Sequence, residues 1–310
     1  MLGGALFRSY TVPLSRITVS ECLDGPIFLD WERHWAQEFV AGIAKLAQAV
    51  DSTVLTIQDC PHAEVHGNVV AALRRGGGKT TLKPGMAEAV LPLAGRTMDQ
   101  IWKGFNRGTR QRIKKANSGR LQIRRLTRPE DLAQAYGAWI ATASRKSFSD
   151  VRPWVSLEPV VQHCVENQMG SVIASFLDEK LLAAAFVTHI GGTASWVYGG
   201  YVDGAQKHSP THVLQHEAIR ESLEKGLARY NFGGLLSDTQ PLARGVDEFK
   251  LGFGAIPRPQ VDTIVWERKP VLYASVEWLR KGWVGRNLEA GLRRVLIRRG
   301  EKLAAATGDR

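Results

Sequence analysis

At 310 residues, with 44% hydrophobic and 23% charged side chains, the chain has the balance of a soluble globular protein and room for two cores of about 150 residues each. No apolar run approaches the ~18 residues that cross a membrane. Three scattered cysteines, Cys22, Cys60 and Cys164, exclude a disulfide scaffold. The short apolar opening is interrupted by Arg8, too early for a signal peptide, so a cytoplasmic location without stable membrane insertion is expected.

In chain order, residues 1–30 read as short strands and turns. Trp31, Trp35, Phe39, Ile43, Leu46 and Val50 recur at helical spacing and predict a helix over 30–49. Residues 54–57 predict a strand. Residues 69–73 and 80–82 predict a hairpin around Gly76-Gly77-Gly78. Gly78-Lys79-Thr80 imitates the tail of a phosphate-binding loop, but Leu73 stands where that loop needs its first glycine. A single helix is predicted from Thr97 or Asp99 to Asn117, ended by Gly119.

A strand at 121–124 then enters a second unit, followed by a helix from Arg128-Pro129 to about Ser144. Strands follow over 172–176, 181–187 and 194–198. Ser209 as cap, Pro210 in the first turn and Gly226 as stop delimit a further helix. Strands over 227–232 and 261–267 and a basic helical region from 271 to about 306 complete the order. The pattern predicts an α/β (α+β) protein of two similar units with mixed sheets flanked by helices. The boundaries are drawn at 1–118 with 268–310, and at 119–267.

The net charge of +11 is concentrated. Residues 101–128 hold ten basic residues and no acidic one, and 279–302 hold eight against Glu289 and Glu301. Acid-poor blocks suit RNA, DNA, a membrane surface or a phosphorylated ligand; solvated helix faces would give the same pattern.

The segment Tyr230-Asn231-Phe232-Gly233-Gly234 precedes Phe249-Lys250-Leu251-Gly252-Phe253-Gly254. The paired glycines allow a sharp turn or close approach to a ligand. Shielding by Phe249 and Phe253 would make Lys250 an electrophilic partner for an oxyanion or an amine of lowered pKa. The alternative is a solvated lysine between two strands.

A strand, a loop, a capped helix and a strand ending in Gly-Gly resemble the acyl-transfer core of the GNAT superfamily. Acetyl-CoA members hold pyrophosphate on a glycine-spaced loop at the helix start. Here that place reads Gly204-Ala205-Gln206-Lys207-His208-Ser209-Pro210, without the spacing and with one amide donor removed. An ordered set of motifs across about 99–256 is similar to the Fem-type aminoacyltransferases. The set comprises Phe105-Asn106-Arg107 with Arg110 and Arg112, Ile113-Lys114-Lys115-Ala116, and Thr142-Ala143-Ser144-Arg145. It continues with Tyr198-Gly199-Gly200, Pro210 with Leu214 and Gln215, and the two glycine motifs above. The first ~90 residues depart from the family pattern, and no segment between Arg145 and Val172 has room for the coiled-coil arm of some members.

The resemblance implies two GNAT-like domains in tandem, the C-terminal helix closing the first. It implies transfer of an amino acid from its tRNA to the amine of a peptide-bearing acceptor, a nucleotide- or lipid-linked peptidoglycan precursor in the best-known members and a peptide antibiotic in relatives. No cofactor is implied, aminoacyl-tRNA being the co-substrate. Lys250 is implied as the catalytic oxyanion partner. Asp247 and Glu248 stand near as alternative bases or solvated loop residues. Tyr198 and Tyr201 are placed for acceptor binding or for core packing, with Phe249 and Phe253 beside the lysine and Arg145 able to grip a phosphate. Arg107, Arg110, Arg112, Lys114, Lys115, Arg293, Arg294 and Arg298 are assigned to the tRNA backbone. Metal binding is not expected: His208, His212 and His216, and Cys60, His62 and His66, supply no full ligand set. The competing readings are a CoA-dependent N-acyltransferase and a non-catalytic RNA-binding protein.

Overall fold

A computed structural model describes residues 3–11, 17–23, 25–28, 34–58, 63–119, 121–146, 152–236, 243–271 and 274. The elements begin with β1 (Gly3–Gly4), β2 (Phe7–Thr11), β3 (Thr18–Cys22), β4 (Ile27–Phe28), α1 (His34–Ala49), β5 (Val54–Ile57), α2 (Ala63–Arg75) and β6 (Lys79–Lys83). Next come β7 (Glu88–Pro92), α3 (Met98–Gly104), α4 (Arg107–Asn117), β8 (Leu121–Leu126), α5 (Pro129–Lys146) and α6 (Trp154–Glu166). Then follow β9 (Gly170–Leu177), β10 (Lys180–Ile190), β11 (Thr193–Tyr201), α7 (Pro210–Glu224), β12 (Arg229–Gly234), α8 (Arg244–Leu251), β13 (Ile256–Arg258) and β14 (Thr263–Glu267).

Two compact units result, each a mixed sheet with helices, as the sequence predicts. The described part of the first takes the chain up to Ala87 and from Pro259 onward; the second takes Glu88–Arg258. In the first, five strands run in the order β2-β3-β5-β14-β6. Helices α1 and α2 bury Val40, Ile43, Val69 and Leu73 with Leu55 and Trp266.

The unit boundaries differ from those drawn on the sequence because strand pairing crosses them. Strand β14, placed with the second unit, pairs with β5 and β6 of the first sheet. Strand β7, which the sequence reading omits, pairs antiparallel with β12 of the second. The predicted closing helix beyond 271, with Arg293, Arg294 and Arg298, lies outside the described residues.

Two local expectations are corrected. Residues 69–73 are helical, not one arm of a hairpin: Val65, Val69 and Leu73 are all fully buried along one stripe of α2, and that packing outweighs the strand preference of adjacent valines. The single helix over 97–117 is two. Thr97 and Gln100 form a reciprocal cap on α3, and Asn106 accepts from the Thr109 amide at 2.7 Å to start α4. Phe105 takes an extended backbone between them. Arg110 closes the corner by donating to the carbonyls of Lys103 and Phe105.

The second sheet has seven strands, β13-β7-β12-β11-β10-β9-β8. Alternation along β9 and β10 sorts its two faces. Ile173, Ala183, Ala185 and Val187 face a core completed by α3, α4, α7 and Phe253. Val172, Ala174, Ala184 and Phe186 face a second core built with α5 and α6 around Trp139 and Trp154.

Candidate active site

Strands β11 and β12 pair in parallel only from Thr193↔Arg229 to Ser195↔Asn231. Beyond that register, residues 196–201 and 232–234 have no pairing with each other. A bulge starts the separation: Trp196 stands opposite Val187, but Tyr198 stands opposite Phe186, leaving Val197 as the extra residue. A bulge bends its strand and strengthens the local twist. The result is a fork at the carboxyl ends of adjacent strands, where open α/β sheets bind ligands.

Lys250 comes to this fork from the last turn of α8, a helix where the sequence reading had a loop or strand. Its Nζ donates to the Gly234 carbonyl. Gly233 adopts φ +84°, and a Cβ there would lie 4.0 Å from the amine; its own N–H donates to Asn231 Oδ1 at 2.8 Å. The double glycine is thus a turn that lets the lysine approach backbone. Burial lowers the Lys250 pKa, while Asp247 and Glu88 push it back up. Asp247 is no solvated base: it is 3% exposed and its Oδ2 accepts from the Leu236 amide at 2.9 Å. Glu248 pairs with Arg244 at 2.9 Å.

The glycines after Lys250 exist for close packing. A Cβ on Gly252 would stand 2.7 Å from Thr109 Oγ1, and one on Gly254, at φ +74°, 2.9 Å from the Gly104 carbonyl. The α3–α4 corner fits into that space, with the Asn106 amide donating to the Gly252 carbonyl at 2.9 Å.

Around this corner lies a continuous aromatic cluster. Phe253 is fully buried, with ring centres at 5.1 Å to Phe105, 5.3 Å to Phe249 and 5.6 Å to Phe232. His212 meets the Phe249 ring edge-on at 4.8 Å, and His216 meets Trp102 at 5.4 Å. His212 is 8% exposed, and burial, then the Arg112 charge, lower its pKa to about 4. Its Nε2 lies 3.5 Å from Arg112 Nη1. Arginine only donates, so in this contact Nε2 is the acceptor, and Nδ1 has no hydrogen-bond partner. Tyr230 completes the buried polar set by donating to Gln215 Oε1 at 2.7 Å.

The structure brings Lys250, Phe249, Phe253 and Tyr201 to one side of the sheet. It sends Tyr198 to the other, stacked on Trp139 at 5.6 Å and 20°; the two tyrosines are three residues apart in regular register with β10, and alternation puts that odd spacing on opposite faces. Arg145 is engaged within the chain. Its Nη2 donates to the Tyr201 carbonyl at 2.6 Å and to Thr142 Oγ1 at 2.9 Å, Nη1 pairs with Asp203, and the guanidinium covers the Tyr201 ring at 4.4 Å. Of the residues assigned to tRNA, Arg107, Arg112, Lys114 and Lys115 are exposed on α4. Arg110 is half-buried and braces the corner.

The helix start also differs from expectation. Ser209 makes no side-chain cap and holds φ +52°. His208 sits in a short 3-10 turn before it, off the helix that carries His212 and His216. Cys60 and His62 lie outside the described residues. His212 and His216 are the functional candidates that sequence spacing alone placed in a weak metal pattern; their aromatic partners come from segments far along the chain.

Among the described residues no helix is long and apolar enough to cross a membrane. No curated protein matches the chain in sequence. The family described as "Acetyltransferase (GNAT) domain" matches residues 103–251. Among solved structures, FemX is similar at 16% identity, with TM-score 0.72 over 88% of this chain and 87% of that one. The C-terminal domain of a putative lysylphosphatidylglycerol synthetase from Agrobacterium fabrum is similar at 12% identity, with TM-score 0.57 over 90% and 87%. A tandem GNAT protein from the clavulanic acid biosynthesis pathway is similar at 13%, with TM-score 0.52 over 81% and 76%. Residues 103–251 therefore match a GNAT domain, and the chain shares the fold of FemX and of a tandem GNAT protein.

Proposed function

We propose that this acyltransferase moves an amino acid from aminoacyl-tRNA to the amine of a peptide-bearing acceptor. The observation that carries the reading is the half-buried Lys250 amine held on the Gly234 carbonyl at the β11–β12 fork. An aminoacyl ester is already activated, so the acceptor amine attacks the carbonyl carbon directly. Negative charge then develops on the carbonyl oxygen, where the Lys250 ammonium supplies a preorganised donor. The C–O bond to the ribose breaks as the C–N bond forms, and the amine's proton leaves to the departing ribose hydroxyl. Lys250 needs to release no proton in this scheme. The chain supplies proximity and charge stabilisation, and the exposed cations of α4 hold the tRNA backbone without reading sequence.

The start of α7 favours this donor over CoA. Gly204 and Ser209 both hold positive φ and Pro210 occupies the first helical position, so the amide array that a pyrophosphate needs is short of a donor. The acceptor has a second candidate, a lipid head group, supported by the fold shared with the lysylphosphatidylglycerol synthetase domain.

The test combines purified protein, total tRNA charged with labelled amino acids, and a pool of muropeptide precursors and small peptides. Vesicles of phosphatidylglycerol form a parallel arm. Label in a ribonuclease-resistant, water-soluble product is expected, its mass identifying donor and acceptor. Label extracted with the lipid would select the second candidate. Absence of transfer in both arms, with binding of CoA, would replace the reading with a CoA-dependent acyltransferase.

A further inference from the structure

His212 is anomalous as a core residue. Its ring sits among Phe249, Phe253 and Arg112, a setting that leucine or phenylalanine would fill without burying a polar atom. Nδ1 remains unpartnered, and buried polar groups in native structures are overwhelmingly paired. An imidazole retained under those conditions points to a role beyond filling space. Its contacts say which one. Arg112 approaches from α4, the exposed basic helix, and the ring edge bears on Phe249, whose neighbour in the last turn of α8 is Lys250.

We propose that His212 is a positioning residue, held by Arg112 and fixing Phe249, and through that turn of α8 the placement of the Lys250 amine. Arg112 then acts inward, on the site, instead of only outward on a polyanion. The catalytic consequence rests on the reading of Lys250 as the oxyanion partner; the positional consequence does not.

The test is therefore made first without any substrate. The full chain is reductively methylated with formaldehyde and cyanoborohydride at one fixed pH, and each lysine's labelling rate is followed by peptide mass spectrometry. His212→Ala and Arg112→Gln are each expected to raise labelling of Lys250 several-fold relative to the other lysines. The double variant is expected to go no further than His212→Ala, because the two changes break one linkage. Arg112→Gln alters an exposed side chain and keeps the test usable should His212→Ala fail to fold. Unchanged Lys250 labelling in Arg112→Gln, or additive effects in the double variant, would overturn the proposal. If wild-type protein transfers amino acids, both variants are also expected to lower kcat by roughly ten- to a hundredfold, with Arg112→Lys restoring part of it. A variant that changes only KM for the charged tRNA would assign Arg112 to tRNA binding and remove it from positioning. Wild-type protein inert with charged tRNA would sink the proposed function, while the labelling rates would still decide the positional claim.

Discussion

The two faces of the seven-stranded sheet are built from the same strands and do different work. On the α5–α6 face the core is Leu132, Tyr136, Trp139, Trp154, Leu157, Val161 and Phe186, and its buried polar atoms are satisfied locally: Trp139 Nε1 donates to the Ala184 carbonyl at 2.9 Å. On the α7 face the apolar core is interrupted by His212 and Gln215, with His216 at its margin, and Lys250 projects at its edge. The first face is arranged for stability. The second accepts an unpartnered imidazole nitrogen and a desolvated amine, and violations of local rules concentrate where function resides.

That contrast is broken most severely by truncating a residue of the plain face. Leu132→Ala, at a fully buried position, is expected to lower stability by about 2–5 kcal/mol, read as a fall in the denaturation midpoint. Activity per folded molecule should be unchanged. A selective loss of kcat would mean that the two faces are not separable.

Acid should act through the α7 face. His212 is neutral in the folded state with a pKa of about 4, against 6.5 ordinarily. Between those values the unfolded chain binds the extra proton. Stability is therefore complete above pH 6.5 and falls as pH drops toward 4, by about 3 kcal/mol from this group. Burial lowers His189 and His216 as well, which adds in the same direction. Urea titrations across pH 7 to 4 should show the slope, and His212→Phe should flatten it. An unaltered slope in that variant would place the acid sensitivity elsewhere.

Smaller effects sharpen the picture. Gly254→Ala forces a side chain onto φ +74° and against the Gly104 carbonyl, expected to reduce stability by about 1–3 kcal/mol and to loosen the α3–α4 corner. Least in size, Lys114→Gln and Lys115→Gln should each weaken tRNA binding and lower the slope of log affinity against log salt by roughly 0.7–0.9 for each phosphate no longer neutralised. Slopes identical to wild type would remove α4 from the tRNA surface.

How much was legible in advance differs between the same regions. Strands over 172–198 were readable because residues alternate or run apolar between clear turns, and the helix from Pro210 because its ends carry proline and glycine. Strand β7 was not: five residues ending in Pro92 carry little signal, and its place between β12 and β13 is set by pairing with segments well over a hundred residues away. The break at Phe105-Asn106 was hidden because the helical stripe of Trp102, Phe105, Thr109 and Ile113 continues across it, while the cause, the Gly252 carbonyl, is remote in sequence. At the site, Lys250 and its glycines stood out by their local pattern. His212 did not, since a histidine's role depends on burial and on partners that only the fold assembles. Tyr198 and Tyr201 looked equivalent until the strand was seen to run in regular register through both, so that their odd spacing puts them on opposite faces.

The central claim is that Lys250 stabilises charge developing on the ester carbonyl. It is tested most directly by single-turnover transfer from charged tRNA with wild-type protein and Lys250→Ala at saturating acceptor. Loss of an oxyanion donor predicts a rate lower by about 10²–10³, with tRNA affinity and thermal stability near wild type. A rate within a fewfold of wild type would contradict the assignment of Lys250, whatever the donor and acceptor prove to be.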